Sequence, residues 1–565
     1  MTLPNFKIFV FLLLFIAFAS INGCEAPAKE EPNETNYYSN PILAGFYPDP
    51  SICYADNAYY LINSSFSYFP GIPIFRSTDL VNWEQIGHVM DRPEQLSLEG
   101  HGISRGLFAP AIEYNNGLFY VICTLVDAGG NFVVTAENPA GPWSNPIWLP
   151  EVSGIDPSLF FDNDGKSYIV YNSEPPNNES FYNGHRTIKM VEFDAEEKKV
   201  LSEPEIIVNG GTDISKKPIW IEGPHIYFEN DFYYLMAAEG GTAEGHSEVI
   251  FRSKNVDGPF EPYEKNPILT QRHFGERSNP VTSTGHADLI QDPSGDWWTV
   301  FLGCRPYADN HYNIGRETFM LPVTWTEDQW PVILQANDTV KFSYTSPMNI
   351  AKSKEFFDYS RNANFKDEFD ASELALHYVF LRSGKGSWLD LQDRPGSLAL
   401  DVRPETCSEM GNPSFVAHRQ HNHNFEVTTS LDFSPNKNEA AGLVLFQNES
   451  HYYFLNKTIV DGQPTVSLDK SEGDSLVNLT AKKIEASQLE LKIVEENTVF
   501  HFYYRIKGND GWQTLAENVD ATYLSTKTAG GFVGTTIGMY ATSNGQPSGN
   551  SAWFDYFSYK GLDEY

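Results

Sequence analysis

The most regular pattern of apolar and polar residues is a short stretch that occurs five times between residues 50 and 303. In each copy a turn rich in Gly, Asn and Asp precedes a run of aromatic and β-branched residues, which is typical of a β-hairpin. The copies span residues 53–61, 114–121, 162–170, 228–235 and 292–300. They recur at intervals of roughly 45 to 70 residues, the spacing expected of a repeat array.

A second strand pair with its own turn residues follows the hairpins, for example at residues 74–83, 133–143 and 251–260. Two hairpins per repeat predict a four-stranded blade, and such blades close around a central channel. Five copies therefore predict a five-bladed β-propeller over residues 40–345. Long helical periodicity does not occur.

The pattern changes around residues 346–365. From Phe369 onward, apolar and polar residues alternate in short runs separated by turns, as in residues 425–433 and 441–446. This alternation is typical of a β-sandwich. The sequence therefore predicts an all-β chain with a second domain over residues 346–565, and we expect close packing because no long linker separates the two domains.

The amino terminus has the form of an export signal. Residues 8–19 form a nearly continuous apolar stretch after Lys7, which is too short for a comfortable membrane span. The stretch ends in Ser-Ile-Asn-Gly-Cys, which resembles a bacterial lipoprotein processing site. We expect a signal peptide over residues 1–23, lipidation of Cys24, and a tether over residues 24–39.

These features predict an exported protein that is lipid-anchored to the bacterial cell envelope, on its periplasmic or its outer face. The alternative is an ordinary secretory signal with an incidental cysteine. Either signal takes the protein out of the cytoplasm, and the membrane is a partner only through the lipid anchor.

Composition narrows the function classes. Aromatic residues make up 14 % of the 565 residues, which suits β-structure and sugar-stacking surfaces. The formal charge of −35 argues against a nucleic-acid partner, because phosphate binding needs clustered Lys and Arg. Cys53 and Cys123 lie inside apolar strand runs, and we expect buried free thiols there rather than disulfides.

Candidate catalytic residues lie directly upstream of the repeated hairpins. Asp49 and Asp156 both occur as Asp-Pro-Ser before an apolar strand, and Glu222 stands between an isoleucine and a glycine. If equivalent positions of the repeats face one axis, these carboxyl groups and His286 converge on one pocket. Asp-Pro alone is common in turns, but glycoside hydrolysis needs one protonated and one ionised carboxyl group, and this set can supply both.

The ordered motifs resemble glycoside hydrolase family 43. The matching stretches are residues 40–51, 66, 69–71, 156–158, 222–225, 284–288 and 315–318. Residues 530–539 and 553–557 look like the concanavalin-type partner domain of the β-xylosidase branch. The resemblance implies a five-bladed β-propeller followed by a concanavalin-like β-sandwich that completes or covers the active site.

The resemblance also implies roles for the three acids. Asp49 would be the general base that activates water, and Glu222 the general acid. Asp156 would orient Glu222 and raise its pKa through nearby like charge. Because the family inverts the anomeric centre in one displacement, the base and the acid should stand about 6.5 to 9.5 Å apart.

Aromatic and basic residues complete the expected site. Phe66 and Phe108 resemble aromatic walls around the sugar and the leaving group. The family usually has Trp where this chain has Phe108, and the smaller ring predicts a differently shaped leaving-group side. Arg316 would bind a sugar hydroxyl or carboxylate, or form a structural ion pair. Phe532 would close the pocket from the sandwich, or belong to the sandwich core.

Two histidines are the remaining candidates. In similar enzymes the histidine matching His286 contacts a water or a bound calcium beneath the pocket; the alternative is a core histidine with satisfied hydrogen bonds. His246 is a further candidate for lining the site. The resemblance implies no required cofactor, and a structural calcium on the propeller axis is the one metal it suggests.

The sequence therefore predicts an exo-acting, inverting glycosidase that releases pentose from the non-reducing end of plant cell-wall xylan or arabinoxylan fragments. Xylan 1,4-β-xylosidase is the first interpretation and α-L-arabinofuranosidase the second, because both substrates present similar hydroxyl groups to one site. Two rivals are a non-catalytic sugar-binding lipoprotein and a protein-interaction scaffold. Neither rival needs Asp49, Asp156 and Glu222 together.

Overall fold

A computed structural model describes residues 37–275, 277–278, 280–335, 337–347, 357–361, 363–473 and 475–563. The first half of this part forms five antiparallel sheets. Blade 1 consists of Ser51–Ala55, Ala58–Ile62, Gly71–Ser77 and Glu84–Met90. Blade 2 consists of Ala111–Asn115, Leu118–Val126, Gly130–Ala136 and Ile147–Trp148, with Gly106–Leu107 added beside its second strand.

The other three blades repeat the same order from the inside outward. Blade 3 consists of Ile155–Phe161, Ser167–Ser173, Thr187–Asp194, Lys199–Val200 and Glu205–Asn209. Blade 4 consists of Glu222–Glu229, Phe232–Glu239, Ser247–Ser253, Glu261–Pro262 and Leu269–Thr270. Blade 5 consists of Thr282–Gln291, Trp297–Cys304, Arg316–Trp325 and Pro331–Val332.

The innermost strands of neighbouring blades contact one another around a ring, and that of blade 5 contacts that of blade 1. The five-bladed propeller predicted from the repeats is confirmed. The hairpin turns also account for the repeat in the sequence. In Asp56-Asn57 and in Asn230-Asp231 both turn residues have a positive φ. That backbone is the tight hairpin turn that favours Asn, Asp and Gly.

The amino-terminal strand connects the beginning of the propeller to its end. Tyr37–Ser39 pairs antiparallel with Ser343–Thr345, and the Asn40 side chain exchanges two hydrogen bonds of 2.8 and 2.9 Å with the backbone of Met320 in blade 5. The tether predicted over residues 24–39 is therefore too long, because its last three residues belong to the fold. Cys24 lies outside the described residues.

The second domain is a two-sheet sandwich, as predicted. Its eight-stranded sheet contains Asn364–Asp367, Leu389–Asp390, Leu398–Asp401, Phe425–Asp432, Gln488–Glu496, Val499–Ile506, Gln513–Asp520 and Ser551–Gly561. Its six-stranded sheet contains Ser414–Arg419, Ala440–Asn448, His451–Val460, Gln463–Glu472, Ser475–Lys483 and Thr536–Thr542. Alternate side chains such as Leu491, Ile493 and Phe554 are fully buried in its core, which is the source of the alternating pattern.

Helices are short throughout the described chain: 3₁₀ turns at Pro176–Asn178, Ile214–Lys216 and Thr522–Leu524, and an α-helical turn at Thr526–Ala529. None of them is long or apolar enough to cross a membrane. Cys53, Cys123, Cys304 and Cys407 are buried free thiols, as expected for the two that were considered.

The two domains pack directly on each other. Tyr68–Phe69 of the propeller pairs with Phe380–Leu381, a short strand of the second domain. The guanidinium of Arg305 makes two bonds of 2.6 and 2.8 Å to the Glu317 carboxylate and donates to the backbone carbonyl of His421 at 2.9 Å. This ion pair is buried, so each charge depends on the other for compensation.

We predict that Arg305→Met destabilises the protein by about 3 to 5 kcal/mol, because it leaves the Glu317 carboxylate buried without its counter-ion. Urea unfolding measures the effect. The double variant Arg305→Met/Glu317→Met should recover most of the loss. The control Arg394→Met breaks a partly exposed pair with Asp432 and should cost at most about 1 kcal/mol. Equal losses in the two single variants would contradict the prediction.

Candidate active site

The active-site carboxyl groups are presented by a shared irregularity of the innermost strands. Asp49, Asp156, Gly223 and His286 all have a φ between 51° and 55°. In blades 3, 4 and 5 this residue lies in a β-bulge, which bends the strand and redirects its side chain. The left-handed backbone is strained for an aspartate or histidine, and such strain is typical of functional sites.

Glu222 does not occupy the position equivalent to the two aspartates; Gly223 does. A Cβ at residue 223 would lie 2.8 Å from Nε2 of His286, so no side chain fits there. The acid of blade 4 is therefore displaced by one residue. In blade 2 the residue equivalent to Glu222 is Phe108, because Ala109 and Gly223 both directly precede a proline.

Asp49 is surrounded by groups that favour its ionised form. Ser64 Oγ donates to its Oδ2 at 2.6 Å, and Arg316 Nη1 donates to its Oδ1 at 3.1 Å. His286 Nδ1 lies 3.7 Å from the same Oδ1. Burial acts to raise the pKa of Asp49, but the Arg316 guanidinium and the Ser64 hydrogen bond help to outweigh it, and this pKa lies below its ordinary value.

Glu222 has the opposite surroundings. Burial raises its pKa first, and the negative charges of Asp156 and Asp49 raise it further, so the pKa of Glu222 lies well above its ordinary value. Arg316 and Arg186 oppose the shift without reversing it. The pKa of Asp156 is also raised, by burial and by Asp49. The opposite shifts of Asp49 and Glu222 favour one ionised and one protonated carboxyl group in the same cavity, the combination that acid–base hydrolysis requires.

The cavity has a volume of about 560 Å³, which is in the range of small-molecule sites. Its walls include the three acids and seven further residues of interest: Phe66, Phe108, Arg186, Trp220, His286, Arg316 and Phe532. The predicted acids, aromatic residues, Arg316 and His286 are therefore brought together as expected, whereas His246 is not among the lining residues.

Three phenylalanines form one wall. The rings of Phe66 and Phe532 are stacked with centroids 6.1 Å apart, and Phe108 meets both edge-on at 5.6 and 5.7 Å. Phe532 comes from the second domain, and its backbone amide donates to Ser104 Oγ at 3.0 Å. Phe532 thus lies in the cavity wall, and its closing of the pocket around a sugar stays a prediction.

Arg316 forms an ion pair with Asp49 and also lines the cavity, and its binding of a sugar group stays a prediction. Besides its bond to Asp49, Nη1 donates to Thr242 Oγ1 at 3.1 Å. The guanidinium lies 5.9 Å from the ring centroid of Phe66 and 5.5 Å from that of Phe532. The side chain is thus both the partner of the proposed base and part of the cavity surface.

His246 and His286 are buried and neutral, because burial lowers the pKa of each to about 4. His246 lies behind the cavity against Gly285, with Nδ1 3.0 Å from the carbonyl of Ser283. His286 faces Asp49 and Gly223 with its two ring nitrogens. Among the described residues no three His, Cys, Asp or Glu side chains are arranged to hold a metal ion. The axial calcium stays a prediction, and no step of the chemistry uses it.

The side chains that hold the segment containing Glu222 in place were not predicted from the sequence. Asn172 Nδ2 donates to the carbonyl of Ile221 at 2.6 Å, and Arg186 Nε donates to Asn172 Oδ1 at 2.8 Å. Arg186 also pairs with Glu174 and lies 4.9 Å from the ring centroid of Trp220. Of these residues, only Trp220 could have been identified from the sequence, because it stands two residues before Glu222.

Comparison with known proteins agrees with this site. The model of Glycosyl hydrolases family 43 matches residues 38–331, and that of the Beta xylosidase C-terminal Concanavalin A-like domain matches residues 366–560. A xylosidase/arabinosidase of Butyrivibrio fibrisolvens is 41 % identical over 92 % of this chain and 98 % of its own length. A non-reducing end alpha-L-arabinofuranosidase of Bacteroides ovatus is 38 % identical over 93 % and 95 %.

The fold of a solved relative is also similar. The crystal structure of xylan beta-1,4-xylosidase from Bacillus halodurans superposes with a TM-score of 0.82 at 32 % identity, covering 93 % of this chain and all of that one. The similarity extends over propeller and sandwich together. The chain therefore belongs to glycosyl hydrolases family 43, and it is a glycosidase.

Proposed function

We propose that the protein is an exo-acting, inverting xylan 1,4-β-xylosidase that removes xylose from the non-reducing end of xylan or arabinoxylan fragments. The observation that carries the proposal is the pair of unequal carboxyl groups, Asp49 and Glu222, in one cavity. The phenylalanine wall and the Arg316–Asp49 pair close one side of this cavity, which favours the binding of a chain end over an internal residue.

The second candidate is an α-L-arabinofuranosidase. It is favoured by the name of the Bacteroides ovatus relative, and Butyrivibrio fibrisolvens has a relative named for both activities. Phe108, which departs from the tryptophan usual in the family, lies beside Phe66 and Phe532 on the cavity wall. A different wall shape gives a physical reason for a different preference between the two pentoses.

In the proposed reaction Asp49 takes a proton from water while the water oxygen forms a bond to the anomeric carbon. Glu222 gives its proton to the glycosidic oxygen, and the bond between that oxygen and the anomeric carbon breaks. Asp49 ends protonated and Glu222 ionised, so the two exchange protons with solvent before the next cycle. Asp156 acts on Glu222 by keeping its proton bound.

The first test compares initial rates on an aryl β-D-xylopyranoside and an aryl α-L-arabinofuranoside, and we expect a strong preference for the xyloside. Glu222→Gln should lower kcat on natural xylo-oligosaccharides by roughly 10² to 10⁴-fold, because the leaving oxygen loses its proton donor. The matched control Glu229→Gln, at the far end of the same strand, should leave the rate unchanged.

A dominant arabinofuranoside rate would replace the first candidate by the second. Sugar binding without turnover in the wild-type protein, unchanged by Glu222→Gln, would support the non-catalytic rival instead.

We expect a bell-shaped dependence of kcat/KM on pH. Activity should fall at low pH as Asp49 becomes protonated and at high pH as Glu222 loses its proton, since the pKa of Asp49 is lowered and that of Glu222 is raised. Asp156→Asn removes a negative neighbour, so the alkaline limb should move to lower pH. Asp164→Asn, an exposed acid of the same blade, is the control, and an unmoved limb in Asp156→Asn would contradict the role given to Asp156.

We also propose that Cys24 carries a lipid that anchors the protein to the cell envelope; the support is the sequence of the leader alone. In a bacterial host that processes lipoproteins, the wild-type protein should incorporate labelled palmitate and enter the detergent phase. Cys24→Ser should do neither. Cys53→Ser is the matched control and should retain both properties, and an unlabelled wild-type protein would overturn the anchor.

A further inference from the structure

Three histidines of the second domain form a buried cluster, which consists of His377, His418 and His421. The ring centroids of His377 and His418 are 5.1 Å apart, and those of His418 and His421 are 4.6 Å apart. Both ring nitrogens of His418 and His421, and Nε2 of His377, have no hydrogen-bond partner among the described residues. The histidine cluster is therefore a group of imidazoles whose burial is not compensated by hydrogen bonds.

The histidine cluster lies at the contact between the domains. His421 packs against Gly45, in the segment that enters blade 1, and a Cβ at residue 45 would lie 2.9 Å from Cδ2 of His421. The ring of Phe357, in the connection between the domains, stacks on His377 with centroids 4.2 Å apart. Separation of the two domains would therefore expose the histidines to water.

Arg419 connects the histidine cluster to the propeller. It is fully buried, and its guanidinium lies 4.7 Å from the ring centroid of Phe46 and 4.5 Å from that of Tyr47. Nη1 donates to the Tyr47 hydroxyl at 3.4 Å, whereas Nε and Nη2 have no partner among the described residues. Cation–π contacts thus hold this side chain, and they hold it against the two residues that stand shortly before Asp49.

Positive charge surrounds the histidine cluster. Burial lowers the pKa of each histidine, to about 3 for His377 and His421 and well below the ordinary value for His418. Neighbouring histidines add to the effect on His418 and His421, Arg419 lowers all three further, and Arg305 also acts on His421. The titratable and charged groups around the cluster and Arg419 are Tyr47, Tyr68, His88, Arg305, Tyr359, Tyr378, His423 and Tyr559.

Protonation is therefore linked to the contact between the domains. Exposed to water, each histidine returns toward the ordinary pKa of 6.5. The open form then binds protons that the closed form does not bind, so the closed form is fully stable above pH 6.5 and loses stability as the pH falls toward 3. Each histidine makes opening about tenfold more favourable per pH unit in this range. Three of them together give a steep response.

We propose that the histidine cluster is a pH-sensitive lock between the domains, which keeps the sandwich on the propeller at neutral pH and releases it in acid. Release takes Phe532 out of the cavity wall and frees Phe46 and Tyr47, which lead to Asp49. The active site is thus complete only when the lock is closed. The proposal goes beyond the proposed function and does not depend on which sugar is cleaved.

Hydrogen exchange of the full chain between pH 7 and 4.5, corrected for the intrinsic exchange rate, tests the lock. The amides of Arg382 and Thr535 donate to backbone carbonyls of the propeller at 2.8 and 2.7 Å, so their exchange reports separation of the domains. Their opening constant should rise roughly 10² to 10³-fold from pH 6 to pH 5, whereas Leu118–Val126 and Ala440–Asn448, inside the two domains, should stay protected. Amides between the domains that keep their protection, or lose it only together with these strands, would overturn the proposal.

The variants His418→Gln and His421→Gln separate a lock from a merely structural role. Each removes one of the protons that opening takes up, so the rise from pH 6 to pH 5 should be about tenfold smaller than in the wild-type protein, whatever the stability at pH 7. His501→Gln, at a partly exposed histidine of the same domain, is the matched control and should leave the rise unchanged. An unchanged rise in the two cluster variants would overturn the proposal. If neither variant folds, the wild-type measurement decides.

Discussion

The ion pair between Arg316 and Asp49 is the interaction on which both the site and the ring depend. Arg316 is the first residue of the third strand of blade 5, and Asp49 lies two residues before the first strand of blade 1. Their 3.1 Å contact therefore joins the last blade to the neighbouring first blade. The same contact helps keep Asp49 ionised, and this charge adds to the rise in the pKa of Glu222. The pair thus contributes both to the contact between the first and last blades and to the difference between the two carboxyl groups.

Much of the architecture was predictable because its determinants are local. The hairpin turns need Asn, Asp or Gly at positive φ, so the turn residues identify each blade in the sequence. The positions of Asp49 and Asp156 followed from the same repeat. The offset of Glu222 did not, because it depends on contact between position 223 and His286, which is more than sixty residues away in sequence.

The other differences also arise from contacts distant in sequence. In the sequence, Tyr37–Ser39 looks like part of the polar segment that precedes the propeller. Its role as a strand depends on pairing with Ser343–Thr345. The sequence predicts that His246 lines the cavity, but its packing against Gly285 places it behind the lining residues. Arg186 belongs to no repeat, and its bond to Asn172 is visible only once the blade has folded.

The chemistry and the selectivity of the site rest on different parts of the fold. Asp49, Asp156 and His286 are held by innermost strands that pack against one another, so their geometry cannot change without disturbing the ring. The walls come from elsewhere: Phe532 from the second domain, and Trp220 from the segment between blades 3 and 4. Loops and domain contacts tolerate substitution better than packed strands do. Differences in sugar preference among proteins with these three acids are therefore expected in the walls, and Phe108 is one of the wall residues.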